Sequence, residues 1–218
     1  SGFGGQASAV NLRRIGIEDF LILERRSWMG GTWSQNSYPG AAVDVQSPLY
    51  SLSFEPYKWT QMFAEQDELV EYTNHVLAKH GLREKTQLNA NVTQVKWLED
   101  KALWEVQTES QGTFYGQFLI NASGPLSTPV IPAFKGRDTF QGHSFHTNAW
   151  DHDYDYKGKR VAIIGSGAGG GTTAEILSQA GFKVLLIEEG PLKTSSDFKM
   201  QEPEAYGSLY QEGMGRMS

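Results

Sequence analysis

The 218-residue chain contains no cysteine, which excludes a disulfide framework, a thiolate nucleophile, iron-sulfur ligation and a redox-active dithiol. Any redox chemistry must therefore come from a bound organic cofactor. Long hydrophobic runs are missing too. The longest apolar stretches are four or five residues, against the roughly 20 needed to cross a bilayer, and no basic, apolar, small-residue leader opens the chain. These absences point to a soluble, cytoplasmic protein with no membrane partner. Nor is there an excess of positive charge: 19 basic residues stand against 25 acidic ones, a net charge of −6. That balance argues against a nucleic-acid partner, so phosphate would have to be bound locally, by backbone amides. Apolar residues make up 39% of the chain, enough for one substantial core or two small ones.

Glycine, by contrast, is plentiful. Two of its clusters, Ser1-Gly2-Phe3-Gly4-Gly5 and Gly165-Ser166-Gly167-Ala168-Gly169-Gly170, lie about 165 residues apart. Ahead of the second, residues 161–164 read as a buried parallel strand; behind it, residues 171–180 read as a helix. In such a strand-turn-helix unit Gly165 permits the tight turn and Gly167 lets the backbone approach a pyrophosphate. Gly170 lets helix and strand pack closely, with the helix N-terminal amides facing the anion. A second strand, residues 183–187, ends at Glu188. That acid lies 23 residues after Gly165, where the ribose-binding carboxylate of a dinucleotide fold belongs.

The first cluster reads the same way, although a complete pattern needs another glycine and an apolar strand ahead of Ser1. Gly2 and Gly5 serve the turn, and Ala7, Val10, Leu12 and Ile15 form the inner face of a helix that Gly16 stops. Residues 20–23 then read as a buried strand ending at Glu24, 22 residues after Gly2 and placed to accept the ribose diol of a first dinucleotide.

Between the two corners, residues 28–57 form a loop rich in Gly, Ser, Asn and Tyr, and a loop this long in a compact domain is usually functional. Asp67 is expected to N-cap a helix reaching Lys79, with Leu69, Thr73, Val76 and Leu77 on one face and Gly81 as its stop. From Asn91 to Asn121 the period changes to two. Residues 92–97, 104–108 and 113–120 read as an antiparallel meander, residues 119–124 as a strand returning to the main sheet, and Pro125, Pro129 and Pro132 as an extended linker. The expected class is thus α/β: a Rossmann-like parallel sheet with an antiparallel β meander over residues 1–125, a linker over 126–158, and the start of a second dinucleotide-binding unit over 159–218. His143, His146, His152, Asp151, Asp153 and Asp155 crowd one segment, but their spacing fits neither an EF-hand nor one helical face, so no metal site is expected. Tyr206 and Tyr210 have helix-like spacing with no evident partner.

The segment Phe140-x-Gly142-x-x-x-His146-x-x-x-Trp150-Asp151 resembles the fingerprint of the Baeyer-Villiger monooxygenases, FxGxxxHxxxW followed by Pro or Asp, and it lies between two dinucleotide turns as it does there. Gly30-Gly31-Thr32-Trp33 with Asn36, Tyr38-Pro39-Gly40, Asp44, Ser47 and Tyr50 resembles the same family, as does Ala122-Ser123-Gly124. The resemblance covers residues 1 to about 168. It implies FAD at the first turn and Glu24, NADPH at the second turn, and oxygen activated on the flavin and delivered to a ketone to give an ester or lactone. It further implies that Gly31, Thr32, Trp33 and Tyr50 line the FAD. Asp44 would sit near the flavin and adjust a catalytic arginine, and His146 would couple nicotinamide binding to domain motion. That arginine has no assignable counterpart in this chain.

Beyond Ala168 the sequence resembles instead the FAD-binding start of the glucose-methanol-choline (GMC) oxidoreductases, in Gly169-Gly170-Gly171-Thr172-Thr173-Ala174-Glu175 and Glu188-Glu189-Gly190-Pro191. Glu188 and Glu189 would repel the 2′-phosphate of NADPH and suit an unphosphorylated ribose, as in FAD or NAD. The chain then looks like two flavoenzyme beginnings joined at Gly-Ser-Gly-Ala. Three readings follow: an incomplete Baeyer-Villiger monooxygenase acting on a ketone, a GMC-type FAD-dependent alcohol oxidoreductase, and a non-catalytic dinucleotide-binding remnant.

Overall fold

A computed structural model of the chain describes residues 1–125 and 127–197; Tyr206 and Tyr210 lie outside them. The chain divides into two compact units, one of Ser1–Pro129 with Gly142–Asp155, the other of Val130–Gln141 with the residues from Tyr156 onward.

The first unit opens directly into helix α1 (Phe3–Arg14), followed by strand β1 (Ile22–Leu23), a single-turn helix α2 (Thr32–Gln35), helix α3 (Gln66–Lys79) and strand β2 (Thr86–Gln87). β1 and β2 are parallel, with Ile22 opposite Thr86 and Leu23 opposite Gln87. Glu24 carries the ladder one step further, donating its N–H to Gln87 O and accepting from Ala90 N. α1 packs Ala9 and Val10 against Leu77 and Leu82, with Phe20, Ile22, Met29 and Phe54 around them. Its buried stripe therefore runs through Gln6, Ala9 and Val10, whereas Ile15, expected inside, is 73% exposed. The reason is local: Ile15 sits past the last helical turn, where Gly16 takes φ +83° and reverses the chain. The expected strand over residues 20–23 is also shorter and less covered than the sequence implies. Only Ile22 and Leu23 pair, and Leu21 is exposed.

α3 carries the core of this unit. Leu69, Thr73, Val76 and Leu77 are fully buried as their spacing predicts, and Tyr72 joins them. The cap differs from expectation: Glu65 occupies the N-cap, and Asp67 lies within the first turn beside Glu68, where both acids favour the positive end of the helix dipole. The shift follows from tertiary bonds, since Gln66 N donates to Ala41 O and Ala42 bridges to Glu65, drawing the helix start two residues earlier. Glu55, 2% exposed, ties the long loop to the far end of α3. Its Oε1 accepts from Lys79 Nζ at 2.7 Å and faces His75 Nε2 at 2.9 Å, while Oε2 faces His80 Nε2 at 2.9 Å.

The meander forms from β3 (Val92–Leu98), β4 (Leu103–Thr108) and β5 (Thr113–Gly116), with Trp97 opposite Trp104 and Val106 opposite Phe114. β5 stops at Gly116, and the expected return strand over residues 119–124 does not form. There the Asn121 side chain accepts from both the N–H and the hydroxyl of Ser123, and Gly124 turns at φ +73°; a local side-chain bond has replaced a ladder.

In the second unit β6 (Arg160–Ile164) and β7 (Lys183–Ile187) pair in parallel over five residues, connected by α4 (Ala168–Gln179). α4 starts three residues before the sequence-based boundary. The strands were expected to be buried, yet Ile164, Leu185, Leu186 and Ile187 are largely exposed and only Ile163, with Thr173 and Leu177 of α4, is covered. One helix covers one face of a two-stranded sheet, and a strand's burial depends on neighbours its own sequence does not encode. Among the described residues no helix is long and apolar enough to cross a membrane.

Candidate functional site

At the first corner Gly2 is the N-cap of α1 in extended conformation, and Gln6 N returns to Gly2 O at 2.9 Å. The amides of the first helical turn are left free of intrahelical partners and point beyond the helix end. Glu24 is buried, but against polar groups of this corner rather than in an apolar interior. Its Oε2 accepts from the Ser1 nitrogen at 2.9 Å and the Ser1 hydroxyl at 2.7 Å, and its Oε1 from Arg26 N at 3.1 Å. Gln6, which sequence reasoning missed, is wholly buried beside this turn. Its Nε2 donates to Ser1 O at 2.9 Å, while its Oε1 finds no donor among the described residues. A polar residue on the inner stripe of a helix, directly after Gly4-Gly5, was the signal available.

The Gly30-Gly31 bend closes over this corner. Gly30 N donates to Ser1 Oγ at 3.1 Å, and Gly31 adopts φ +67° so near Gly2 that an added Cβ would lie 2.5 Å from Gly2 Cα. From there α2 carries Thr32 and Trp33. Trp33 Nε1 donates to Tyr50 OH at 3.1 Å, and the Tyr50 ring lies 5.5 Å from that of Phe3, inside the glycine turn itself. Gly2, Gly31, Thr32, Trp33 and Tyr50 are thus drawn to one corner, whereas Gly5 meets nothing within 4 Å at its Cβ position. Asp44 projects to the surface from a loop pinned on both sides. Val43 N bonds Ala64 O, and the buried Ser47 donates N–H and Oγ–H to Met62 O and accepts from Ala64 N.

The fingerprint splits between units: Phe140 belongs to the second and Gly142 through Asp151 to the first. His146 N-caps a short 3₁₀ turn, Thr147–Ala149, its Nδ1 accepting from Asn148 N at 3.0 Å; burial lowers its pKa. Trp150 packs edge-on against Phe145, and Asp151 Oδ2 meets His143 Nε2 at 2.7 Å. The segment docks on the loop after Trp33 through Asn36, which the Gly30 to Tyr50 pattern includes, and through Gln35, Ser37, Asn148 and His152, which no motif marks. Gln35 Nε2 donates to Asn148 O at 2.6 Å, Asn148 Nδ2 to Asn36 Oδ1 at 3.0 Å, and Ser37 Oγ meets His152 Nε2 at 2.7 Å.

The second corner repeats the first. Gly167 caps α4 in the same extended conformation, and Gly171 N returns to Gly167 O at 2.8 Å. Gly165 turns at φ +93°, and a Cβ on Gly170 would overlap the Gly165 carbonyl oxygen, so glycine is obligatory where helix meets strand. Glu188 Oε2 accepts from both Ser166 N and Ser166 Oγ at 2.7 Å and Oε1 from Gly190 N at 2.9 Å. These bonds, led by that from Gly190, hold its pKa at about 2.

Two parallel-strand corners, each with a glycine turn, a helix N-terminus and a strand-end glutamate, define a dinucleotide-binding α/β protein. The chain belongs to the pyridine nucleotide-disulphide oxidoreductase family, whose model matches residues 1–202. It is 47% identical over 169 residues to a Baeyer-Villiger monooxygenase of Streptomyces coelicolor, covering 77% of this chain and 32% of that protein. The crystal structure of OTEMO complexed with FAD and NADP matches with a TM-score of 0.80 and 32% identity, over 87% of this chain and 38% of that one. Cyclohexanone monooxygenase from Rhodococcus sp. Phi1, bound to NADP+, matches with a TM-score of 0.77 and 33% identity, over 86% and 36%. The chain spans about a third of the length of the relatives it matches. The join expected near Gly165 to Ala168, and the likeness to GMC oxidoreductases beyond it, find no support: one family model runs through that stretch to residue 202.

Proposed function

We propose that the chain is part of a flavin-dependent monooxygenase of Baeyer-Villiger type. It holds FAD at the first corner and a nicotinamide dinucleotide, NADPH by likeness to the solved structures, at the second, and takes a ketone and molecular oxygen to an ester or lactone. In this reading residues 1–125 hold FAD, 126–158 connect, and 159–218 begin the nicotinamide site. The observation that carries it is the first corner itself. A glycine-only contact between Gly2 and Gly31 leaves backbone where a side chain would stand, and the buried Gln6 Oε1 awaits a donor.

FAD, when bound, supplies the oxygen-activating redox chemistry. The free amides after Gly2 receive its pyrophosphate, and Glu24 accepts the ribose hydroxyls in place of Ser1. Gly31, Thr32, Trp33 and Tyr50 wall the turn and keep water from it. Asp44 offers a carboxylate from a fixed loop and takes the catalytic positioning role. The fingerprint residues Phe140, Gly142, His146, Trp150 and Asp151 hold the connecting segment, with His146 shaping the turn that docks on Asn36. At the second corner Gly165, Gly167, Gly170 and Glu188 take the same parts for the nicotinamide dinucleotide.

The test is colour. Purified protein is expected to show flavin absorbance near 450 nm, about where oxidised flavins absorb, and to bleach on anaerobic addition of NADPH or NADH. Bleaching by an alcohol and by neither nicotinamide dinucleotide would refute the proposal. A folded, colourless protein that takes up no added FAD would leave only the non-catalytic remnant and refute the proposal.

A further inference from the structure

We propose that the second corner is built for an adenosine diphosphate whose ribose keeps its free 2′,3′-diol, so that it takes NADH in preference to NADPH. The inference rests on the reading of that corner as a dinucleotide site and sharpens the identity of its ligand.

Three observations on the chain carry it. The first is the identical bonding of the two strand-end carboxylates. In each corner one oxygen accepts the hydroxyl of the serine in the glycine turn, Ser1 for Glu24 and Ser166 for Glu188, and lies within hydrogen-bond distance of that serine's nitrogen; the other oxygen accepts the N–H two residues on, from Arg26 or Gly190. The first corner is the one read as holding FAD, whose adenosine ribose is unphosphorylated, and the second places its carboxylate against the turn serine and the following amide in the same way. A carboxylate so placed exchanges the serine for ribose hydroxyls without moving.

The second observation is charge. Glu188 is followed by Glu189-Gly190-Pro191-Leu192, and the next cation along the chain is Lys193. Arg160 and Lys183 stand at the opposite ends of β6 and β7 from the corner. A 2′-phosphate would therefore bring a dianion against two carboxylates, and neither residues 165–182 nor residues 184–192 of this unit contain a Lys or Arg to offset it.

The third is rigidity. Gly165 N donates to Ile187 O at 2.8 Å, locking the last residue of β7 to the glycine turn, so that Glu188 follows at a fixed place. Swinging the acid aside for a phosphate would cost the carboxylate its bonds from Ser166 and Gly190.

The free-diol moiety occurs in NADH and in FAD alike, so the test separates them. Protein saturated with FAD is titrated calorimetrically with ADP-ribose, 2′-phospho-ADP-ribose, NADH, NADPH and further FAD. ADP-ribose and NADH are expected to bind at least about tenfold more tightly than their 2′-phosphorylated counterparts, a gap that narrows as salt rises, because repulsion between exposed charges is screened. A second equivalent of FAD would confirm the free-diol site while assigning it to flavin and overturning the NADH preference. Glu189→Arg, at an exposed position that leaves Glu188 in place, should narrow the gap, and Glu188→Lys with Glu189→Arg should reverse it. Equal or tighter binding of the phosphorylated ligands would overturn the inference while leaving the dinucleotide site standing. Binding of none of them would overturn the site, and the inference with it.

Discussion

Replacing Glu55 by glutamine keeps the shape of a buried side chain and removes its charge, leaving Lys79, His75 and His80 of the α3 terminus without the anion they converge on. Burial pushes the Glu55 pKa up, but the bonds from Lys79, His75 and His80 overcome it and hold the carboxyl at about 2, against an ordinary 4.5. By linkage, a difference of roughly 2.5 units is worth about 3 kcal/mol at neutral pH. Lys79 and His75 reach the carboxylate from solvent, 55% and 41% exposed, so water screens their share and about 1 to 2 kcal/mol is the net expectation. The sign is that of a depressed acid. The stabilisation is complete above the unfolded-state pKa near 4.5 and disappears as pH falls from there towards about 2. Thermal unfolding followed by circular dichroism should show Glu55→Gln melting roughly 3 to 8 °C lower than the unaltered chain at pH 7. The difference should be much smaller by pH 2.5 and vanish only below about pH 2, where Glu55 of the folded chain is itself protonated. A melting difference that is the same at pH 7 and pH 2.5, or absent at pH 7, would show that the cluster is not an electrostatic clamp and refute this account.

Gly31→Ala forces a Cβ onto Gly2 at a positive φ, and should lose most of its bound flavin, read as absorbance per chain at 450 nm; undiminished occupancy would contradict the cradle described for the first corner. In the second unit Gly170→Ala should lower the melting temperature through overlap with the Gly165 carbonyl, a destabilisation of about 1 to 3 kcal/mol. Gly167→Ala, with open space around its Cβ position, should fold normally and lose ADP-ribose binding; equal behaviour of the two variants in both assays would remove the distinction between packing and ligand-approach glycines. Asn148→Ala deletes the bond to Asn36 Oδ1, and hydrogen exchange should quicken across residues 142–155 by roughly a factor of 5 to 10, corresponding to about 1 kcal/mol, with exchange in β3 to β5 unchanged.

What the sequence made legible is what is local. A glycine turn, the helix after it and the acid that ends the following strand sit within about 25 residues, and their geometry is dictated by backbone sterics and capping, so both corners were readable from residue types alone. The inner face of α3 was readable for the same reason: one helix, one period. The misreadings share the opposite character. Apolar content alone points Ile15 and residues 119–124 inward, but burial needs a partner surface, and there a glycine reversal or an Asn side chain turns the chain away from one. Glu55 draws on a loop residue and three donors from the end of α3, a meeting set by tertiary packing.

The fingerprint shows most plainly how a motif and a contact diverge. His146, the residue the pattern names, bonds within its own turn; Asn148, which the pattern leaves blank, makes the bonds to Gln35 and Asn36. The histidine fixes the backbone at Asn148 N, and that backbone aims the asparagine at the loop leading away from Trp33. A substitution at His146 is therefore expected to act on the first corner through Asn148, and Asn148→Ala should reproduce whatever part of the His146→Ala defect is positional. A His146→Ala defect in flavin binding that Asn148→Ala does not share in any measure would mean that the imidazole acts on something other than this turn.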